Sequence, residues 1–221
     1  MHQSINNLNI IKEQILEEIK KLKVENELPT IIAVSKTFSM EKISPLLDFG
    51  HTHFGENKVQ EALVKWSDYK LKNNNVKLHL VGKLQTNKTK QAIKLFDYIH
   101  SLDSIKLAKE ISKEQKKINR KPKIFIQINI GNEQQKSGIS KNEVVDFYQS
   151  CKELDLDIIG LMCLPPLDGD SNYYFSEMKM LNKKINLNEL SMGMSADYIS
   201  AIENNATYIR VGSKIFGERK K

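Results

Sequence analysis

The sequence contains only two cysteines, five prolines and one tryptophan in 221 residues. Two cysteines without an export signal argue against a disulfide framework, and they lack the partner residues that a zinc site needs. We therefore expect Cys151 and Cys163 to be reduced core residues. His51 and His53 also lack the neighbouring cysteine or carboxylate that would suggest a metal ligand set, so we expect no metal.

No stretch of the sequence resembles a secretory signal or a membrane span. The beginning, MHQSINNLN, has neither a charged start nor a continuous apolar segment, and no apolar run reaches the roughly 20 residues that cross a bilayer. These absences predict a cytoplasmic protein with no membrane partner. A linker rich in Gly, Ser or Pro is also missing, so we expect residues 1–221 to form one domain.

The formal net charge is +7, yet the chain has no arginine-rich tract. Its lysines are scattered along predicted helices, many beside Glu or Asn, without interleaved aromatic residues. A nucleic-acid footprint concentrates positive charge on one face or helix, so we expect no nucleic-acid partner. An anionic ligand explains part of the excess charge equally well.

What the sequence does contain is a regular alternation of strand and helix patterns. An amphipathic helix is predicted from Leu8 to Val24, because apolar residues recur there at three- and four-residue steps. Eight strand patterns separated by helical patterns follow, at 28–36, 51–57, 77–84, 97–102, 124–130, 157–163, 190–194 and 207–217. This order predicts a closed (β/α)8 barrel of the TIM type with an extra amino-terminal helix. An open sheet is the alternative, although no G-x-G-x-x-G follows the first strand to support its dinucleotide-binding form.

The first strand pattern, LPTIIAVSK, ends on Lys36. Lysine is rarely buried, so its position at the end of a core strand needs a physical reason. One reason is that the stem lines the barrel mouth while the ammonium group reaches water. The other is that a desolvated lysine loses its proton more easily and attacks carbonyl groups to form a Schiff base. The strand by itself leaves both explanations open.

The segments SMGMSAD and RVGS follow the seventh and eighth strands. In (β/α)8 barrels these two loops commonly hold a phosphate group. Ser195, Gly212 and Ser213 offer hydroxyls and backbone N–H groups to an anion, although such residues are also ordinary turn and capping residues. Arg210 lies two residues before Gly212, so it points into the barrel mouth, where the alternative to a ligand contact is an interior ion pair.

Three further polar residues fall near the ends of the second and third strands, namely Asn57, His79 and Gln85. Each is either a residue that orients a ligand or a satisfied polar group of the interior. For His79 we favour the interior role.

Seven segments, in order across nearly the whole chain, carry a family likeness: AVSK at 33–36, FGEN with VQE at 54–61, HLVGKLQTNK at 79–88, IQIN with KSG at 126–138, GLM at 160–162, LSMGMS at 190–195 and RVGSKIFG at 210–217. Together they resemble the pyridoxal phosphate homeostasis proteins. The resemblance implies a fold-type III barrel, like the amino-terminal domain of alanine racemase, with pyridoxal 5'-phosphate (PLP) as its cofactor.

The resemblance also implies cofactor contacts for individual residues. It assigns six of them: the imine-forming Lys36, the phosphate-binding Ser195, Gly212 and Ser213, the pyridine-facing Arg210 and the cofactor-side Asn57. Lys136, in the loop after the fifth strand, is a further candidate, for transient contact with cofactor passing the mouth. The alternative, an exposed loop lysine, is the interpretation that we favour. Lys83 and Cys163 depart from the family pattern at positions that we regard as variable.

Arg210 also bears on whether such a protein catalyses a reaction. PLP draws carbanion electrons into its ring, and an acid opposite the ring nitrogen strengthens this sink. A guanidinium group can only donate a hydrogen bond, which leaves the ring nitrogen unprotonated and the sink weak. With no second domain expected to supply an opposing base, we expect a non-enzymatic, monomeric carrier that hands PLP to apo forms of PLP-dependent enzymes. A weak PLP-dependent racemase or transaminase is the alternative.

Overall fold

Eight parallel strands close into a barrel in the order in which they occur along the chain, and the last strand pairs with the first. The computed structural model describes residues 2–22 and 27–218. The strands are β1 (Thr30–Val34), β2 (His53–Glu56), β3 (Lys77–Leu80), β4 (Tyr98–Leu102), β5 (Lys123–Ile128), β6 (Asp157–Cys163), β7 (Glu189–Ser191) and β8 (Tyr208–Val211). The predicted (β/α)8 barrel is confirmed, and the open sheet is wrong.

Helices surround the barrel. They are α1 (Gln3–Leu22), α2 (Met40–Asp48), α3 (Val59–Lys72), α4 (Thr89–Leu95), α5 (Ile105–Ile118), α6 (Val144–Glu153), α7 (Ser171–Lys184), α8 (Tyr198–Glu203) and α9 (Ser213–Phe216). Short 3-10 turns at Thr86–Lys88 and Lys141–Glu143 precede α4 and α6. In the described ranges, none of these helices combines the length and apolar character needed to traverse a bilayer.

The extra amino-terminal helix is present as α1, which packs against α2, α8 and α9. It begins at Gln3, five residues before the predicted start, and its predicted end at Val24 lies outside the described residues. Its apolar positions form one buried face, as the three- and four-residue spacing requires: Leu8, Ile11, Ile15 and Ile19.

The core has two separate apolar layers. The larger one lies between the sheet and the helices. Both cysteines belong to it, and both are free thiols. Burial raises the pKa of Cys151 and of Cys163 to about 12, so both stay protonated and pack as apolar side chains, as predicted. The smaller layer fills the inside of the barrel: Ile32, Val34, Tyr98, Phe125, Met162 and Tyr208.

The eighth strand is shorter than the sequence pattern predicts. We expected it at 207–217, but it ends at Val211, and Ser213–Phe216 forms α9. The N–H groups of Ile215 and Phe216 bond back to the carbonyl of Gly212, which closes a helical turn. Ile215 is fully buried there, so the apolar run that resembled a strand continues as the buried side of a helix.

Candidate functional site

The carboxyl ends of the strands surround a cavity of about 700 Å³, a size typical of small-ligand sites. The sequence predicted ligand contacts for residues on five different strands and loops. All of the six family-assigned residues line this one cavity: Lys36, Asn57, Ser195, Arg210, Gly212 and Ser213.

Lys36 lies two residues beyond the end of β1 and is half-buried. The residues on either side of it are held by carboxylates. The Ser35 hydroxyl donates to Glu56 at 2.8 Å, and the Thr37 N–H donates to Glu61 at 2.6 Å. Thr37 has a φ of +69°, which a β-branched residue rarely adopts, so the bond to Glu61 stabilises an unfavourable conformation. The backbone that carries Lys36 is therefore fixed from both sides.

Glu56 is the centre of the polar cluster behind this loop. It is fully buried, and one of its oxygens also accepts from the Lys65 ammonium at 2.9 Å and from the Trp66 indole at 3.0 Å. Lys65 donates in addition to the Ser35 carbonyl at 2.9 Å. A buried ion pair thus joins the end of β2 and helix α3 to the loop that carries Lys36. The sequence motif FGEN with VQE contains both carboxylates, but its spacing alone did not reveal what they hold.

Replacing Glu56 by alanine should lower the free energy of unfolding by about 3–5 kcal/mol, because Lys65, Ser35 and Trp66 all lose their shared acceptor in a buried place. Urea unfolding followed by circular dichroism measures the change. Glu110→Ala is the control, since it removes the exposed Glu110–Lys113 pair and should cost less than about 1 kcal/mol. Similar small losses for the two variants would contradict the buried-pair interpretation.

The loops after β7 and β8 meet at one side of the cavity. The Lys214 N–H lies 3.5 Å from the Ser195 hydroxyl, which places Ser195 beside Gly212 and Ser213 at the start of α9. Gly193 has a φ of +88°, and a Cβ there would come within 2.6 Å of a side chain on α8. Only glycine fits this turn, so the SMGMS segment brings the Ser195 loop against the β8 loop.

Arg210 is buried in the cavity wall, 5% exposed. Its guanidinium donates to the Ser191 hydroxyl at 2.6 Å and to the Cys163 carbonyl at 2.8 Å. Burial lowers the pKa of Arg210, while Cys163 and Asp197 act in the opposite direction. The predicted inward direction is right. The guanidinium is thus held by a hydroxyl and a backbone carbonyl, and not by the carboxylate that an interior ion pair would supply.

The three polar residues near the ends of the second and third strands occupy three different environments in the structure. Asn57 lines the cavity, and a Cβ at Gly82 would come within 2.3 Å of the Asn57 carbonyl oxygen, so the turn after β3 packs directly on it. His79 is fully buried and hydrogen-bonded to His53 and His100, which is the interior role that we favoured. Gln85 is exposed and lines a neighbouring groove instead of the cavity.

Lys136 also lines the cavity. Its ammonium donates to the Pro165 carbonyl at 3.0 Å and pairs with Glu133, and its side chain is 28% exposed. The alternative of an exposed loop lysine is therefore wrong. The loop after β5 is folded against the Pro165–Pro166 segment as part of the wall.

Two cavity residues that the sequence reasoning did not single out lie on or just after β5. Gln127 donates to the Ser137 carbonyl at 3.0 Å, and Asn129 donates to the Glu133 carbonyl at 2.8 Å. They hold the β5 loop in place at the mouth. The signal was available, because polar residues at alternating positions of the apolar run IFIQIN point to one face.

A metal site is not formed by the described residues. Within 2–22 and 27–218, no group of three or more His, Cys, Asp or Glu side chains is arranged to hold an ion.

The chain is similar in sequence to one known family and to several of its members. The family described as "Alanine racemase, N-terminal domain" matches residues 10–220. The pyridoxal phosphate homeostasis protein of Pasteurella multocida is 34% identical over 96% of this chain and 96% of that protein. The pyridoxal phosphate homeostasis protein of Aquifex aeolicus is also 34% identical, over 96% of this chain and 97% of the relative.

Solved structures of related proteins have the same fold. PipY of Synechococcus elongatus is 32% identical over 92% of this chain and 100% of PipY, with a TM-score of 0.81 for the form without PLP and 0.79 for the form with PLP bound. The alanine racemase of Clostridium difficile, 17% identical, shares the fold with a TM-score of 0.69 over 98% of this chain and 58% of the racemase. The chain therefore belongs to the alanine racemase N-terminal domain family, among the pyridoxal phosphate homeostasis proteins.

Proposed function

We propose that this chain binds PLP in the cavity at the barrel mouth and takes part in vitamin B6 homeostasis. One observation carries the proposal: a single cavity of about 700 Å³ brings together a strand-end lysine, two serine-bearing loops and a buried arginine. These groups suit an aldehyde, a phosphate and a pyridine nitrogen respectively. The relative PipY, whose structure is described with PLP bound, supports the same conclusion.

In this proposal Lys36 forms a Schiff base with the cofactor. It lies at the cavity with its backbone fixed on both sides by Glu56 and Glu61. A fixed attachment point favours imine formation, because less freedom is lost when the lysine amine meets the aldehyde.

The phosphate group binds between the loops after β7 and β8. Ser195 and Ser213 supply hydroxyls, and the backbone of Gly212 and Ser213 supplies N–H donors. The Lys214 N–H lies 3.5 Å from the Ser195 hydroxyl, and this closeness of the two loops supports a phosphate site between them. A Cβ at Gly212 would come within 3.3 Å of the Val34 carbonyl oxygen, so glycine lets the β8 loop pack closely against the end of β1.

Arg210 faces the ring nitrogen, and Asn57 lies beside the cofactor. When bound, PLP supplies an electron sink for carbanions, whose strength depends on the group at the ring nitrogen. Arg210 has only N–H donors and keeps its protons, so it donates a hydrogen bond to a ring nitrogen without protonating it. The residues of the site thus hold the cofactor in a weakly activating environment.

This environment supports a carrier that stores PLP and delivers it to apo forms of PLP-dependent enzymes. The relatives are named for homeostasis and not for a reaction, which is consistent with this role. In the same proposal the chain acts as a monomer in the cytoplasm. The alternative, a weak PLP-dependent racemase or transaminase, has no specific support from the site.

The phosphate contacts can be tested by replacing Ser195 with alanine. Loss of one charge-assisted hydrogen bond should cost roughly 1.5–3 kcal/mol, which corresponds to a PLP affinity about ten- to a hundredfold weaker. Equilibrium titration followed by visible absorption measures the dissociation constant. Pyridoxal, which lacks the phosphate, should bind far more weakly than PLP to the unaltered protein.

Ser44→Ala serves as the control for this variant. Ser44 lies on α2, where its hydroxyl donates to the Glu41 carbonyl away from the cavity, so PLP affinity should not change. Equal affinities for PLP and pyridoxal would remove the phosphate site from the proposal.

A further inference from the structure

A continuous chain of hydrogen bonds runs through the inside of the barrel and ends at Arg210. Arg210 donates to the Ser191 hydroxyl at 2.6 Å, and this oxygen lies 2.8 Å from Nδ1 of His100. Nε2 of His100 lies 2.9 Å from Nδ1 of His79, and Nε2 of His79 lies 2.9 Å from Nδ1 of His53. We call these three residues the histidine chain.

The histidine chain crosses the barrel from its amino-terminal end to the wall of the cavity. His53 is the first residue of β2 and is half-buried, whereas His79 and His100 are fully buried on β3 and β4. The inner rings are fixed by stacking. His79 lies on Tyr98 with 4.2 Å between ring centres, and His100 lies on Phe125 with 4.4 Å between ring centres.

The contacts select one direction for the hydrogens. Arg210 can only donate, so the Ser191 oxygen accepts from it, and the Ser191 hydrogen is then available for Nδ1 of His100. His100 consequently carries its proton on Nε2 and donates to His79, which in turn donates from Nε2 to His53. In the opposite direction Ser191 would accept twice and its hydrogen would have no partner within the chain, a cost that buried hydroxyls avoid.

This direction requires all three rings to be neutral. A second proton on His79 or His100 would place a donor where the neighbour also donates. Burial lowers the pKa of both residues well below the usual histidine value, and the nearby charge of Arg210 lowers that of His100 further. Burial, charge and geometry therefore all favour neutral histidine rings that donate in one direction along the histidine chain.

We propose that His53, His79 and His100 are positioning residues for Arg210: the histidine chain orients the Ser191 hydroxyl so that its oxygen remains the acceptor that fixes the guanidinium in the cavity wall. The part of this inference that concerns PLP rests on the proposed function, because Arg210 is proposed to face the ring nitrogen. The direction of the chain itself does not depend on a bound cofactor.

The direction can be tested on the full chain without added PLP. Long-range ¹⁵N–¹H correlation spectra of histidine-labelled protein at pH 7 distinguish the two neutral tautomers and the charged ring. We expect His53, His79 and His100 all to carry hydrogen on Nε2 alone. A hydrogen on Nδ1, or a charged ring, at any of the three would overturn the proposal, whether or not the protein binds PLP.

The positioning role can be tested with variants at two links. His100→Leu removes both ring nitrogens, and Ser191→Ala removes the acceptor of Arg210. Both should weaken PLP binding about tenfold and shift the absorption maximum of bound PLP in the same direction. His100→Asn keeps an oxygen near the place of Nδ1, so its affinity should stay within about threefold of the unaltered protein.

Ser101→Ala is the matched control, because Ser101 is buried next to His100 but its hydroxyl lies outside the histidine chain. It should leave affinity and absorption unchanged. Wild-type affinity and absorption in folded His100→Leu or Ser191→Ala would overturn the positioning role. If His100→Leu does not fold, His79→Leu takes its place, since it removes the next ring of the histidine chain and leaves the Ser191 hydroxyl present; unchanged affinity and absorption there would equally overturn the role. Failure of the unaltered protein to bind PLP would refute the proposed function instead.

Discussion

Replacing Lys36 by alanine should abolish covalent attachment of PLP. Among the described residues three lysines line the cavity, Lys36, Lys83 and Lys136, and their settings differ. Lys83 is exposed, and the ammonium of Lys136 is held by Glu133 and the Pro165 carbonyl. Lys36 is half-buried at the end of a core strand, in a loop that two carboxylates fix. A half-buried amine whose backbone is fixed at the cavity is held in place to attack an aldehyde there, so we expect Lys36 to be the nucleophile.

Borohydride reduction followed by peptide mapping measures the attachment. In the unaltered protein the cofactor should be fixed to the peptide that contains Lys36, and the purified protein loaded with PLP should be yellow. Lys83→Ala and Lys136→Ala should retain both properties. Persistence of the same imine absorbance in Lys36→Ala would assign the Schiff base to another lysine.

The barrel could be predicted from the sequence because its determinants are local. Each strand is a short apolar run, and in each helix the apolar residues recur every three or four positions. The regular alternation of strands and helices is compatible with few chain topologies. The error at β8 has a local cause as well. In TYIRVGSKIFG the residues Ile215 and Phe216 continue an apolar pattern, and only the three-dimensional structure shows that they belong to a helix, which packs against α1.

The cavity residues could be predicted for a different reason. All parallel strands of a barrel end on the same side. Polar residues at the strand ends therefore lie around one mouth, whatever the position of each strand in the barrel. This rule located Lys36, Asn57 and Arg210 without knowledge of the register. It failed for Gln85, which lies five residues beyond the end of β3 and turns away into the neighbouring groove.

The histidine chain and the Glu56 cluster could not be predicted in this way. His53, His79 and His100 meet only because the register pairs Gly55 with His79 and His79 with Tyr98, which steps the three rings across the interior. Such a register follows from the closure and tilt of the whole barrel. Contacts between side chains deep inside the barrel thus require the three-dimensional structure, whereas several of the polar residues at the strand ends could be located from the sequence.

The setting of Arg210 leads to a prediction about catalysis. Two of its hydrogen bonds go to Ser191 and to the Cys163 carbonyl. At the proposed place opposite a ring nitrogen the guanidinium would donate a hydrogen bond without transferring its proton, because arginine is not deprotonated in proteins. An acid at this position would strengthen withdrawal of electrons from the α-carbon of an amino acid, and Arg210 does not. Loss of the α-proton should therefore be slow even when PLP is bound.

One experiment tests both the weak activation and the carrier role. The PLP-loaded protein is mixed with alanine in deuterated water, and loss of the α-proton is followed by NMR while a parallel sample reactivates an apo PLP-dependent enzyme. We expect efficient reactivation with alanine keeping its configuration, and exchange far below the roughly 1–1,000 turnovers per second of ordinary enzymes. Lys36→Ala, which we expect not to hold PLP covalently, provides the control for reactivation by loosely bound cofactor. Exchange at enzymatic rates would refute the non-catalytic role, and reactivation no faster than with an equal concentration of free PLP would refute delivery.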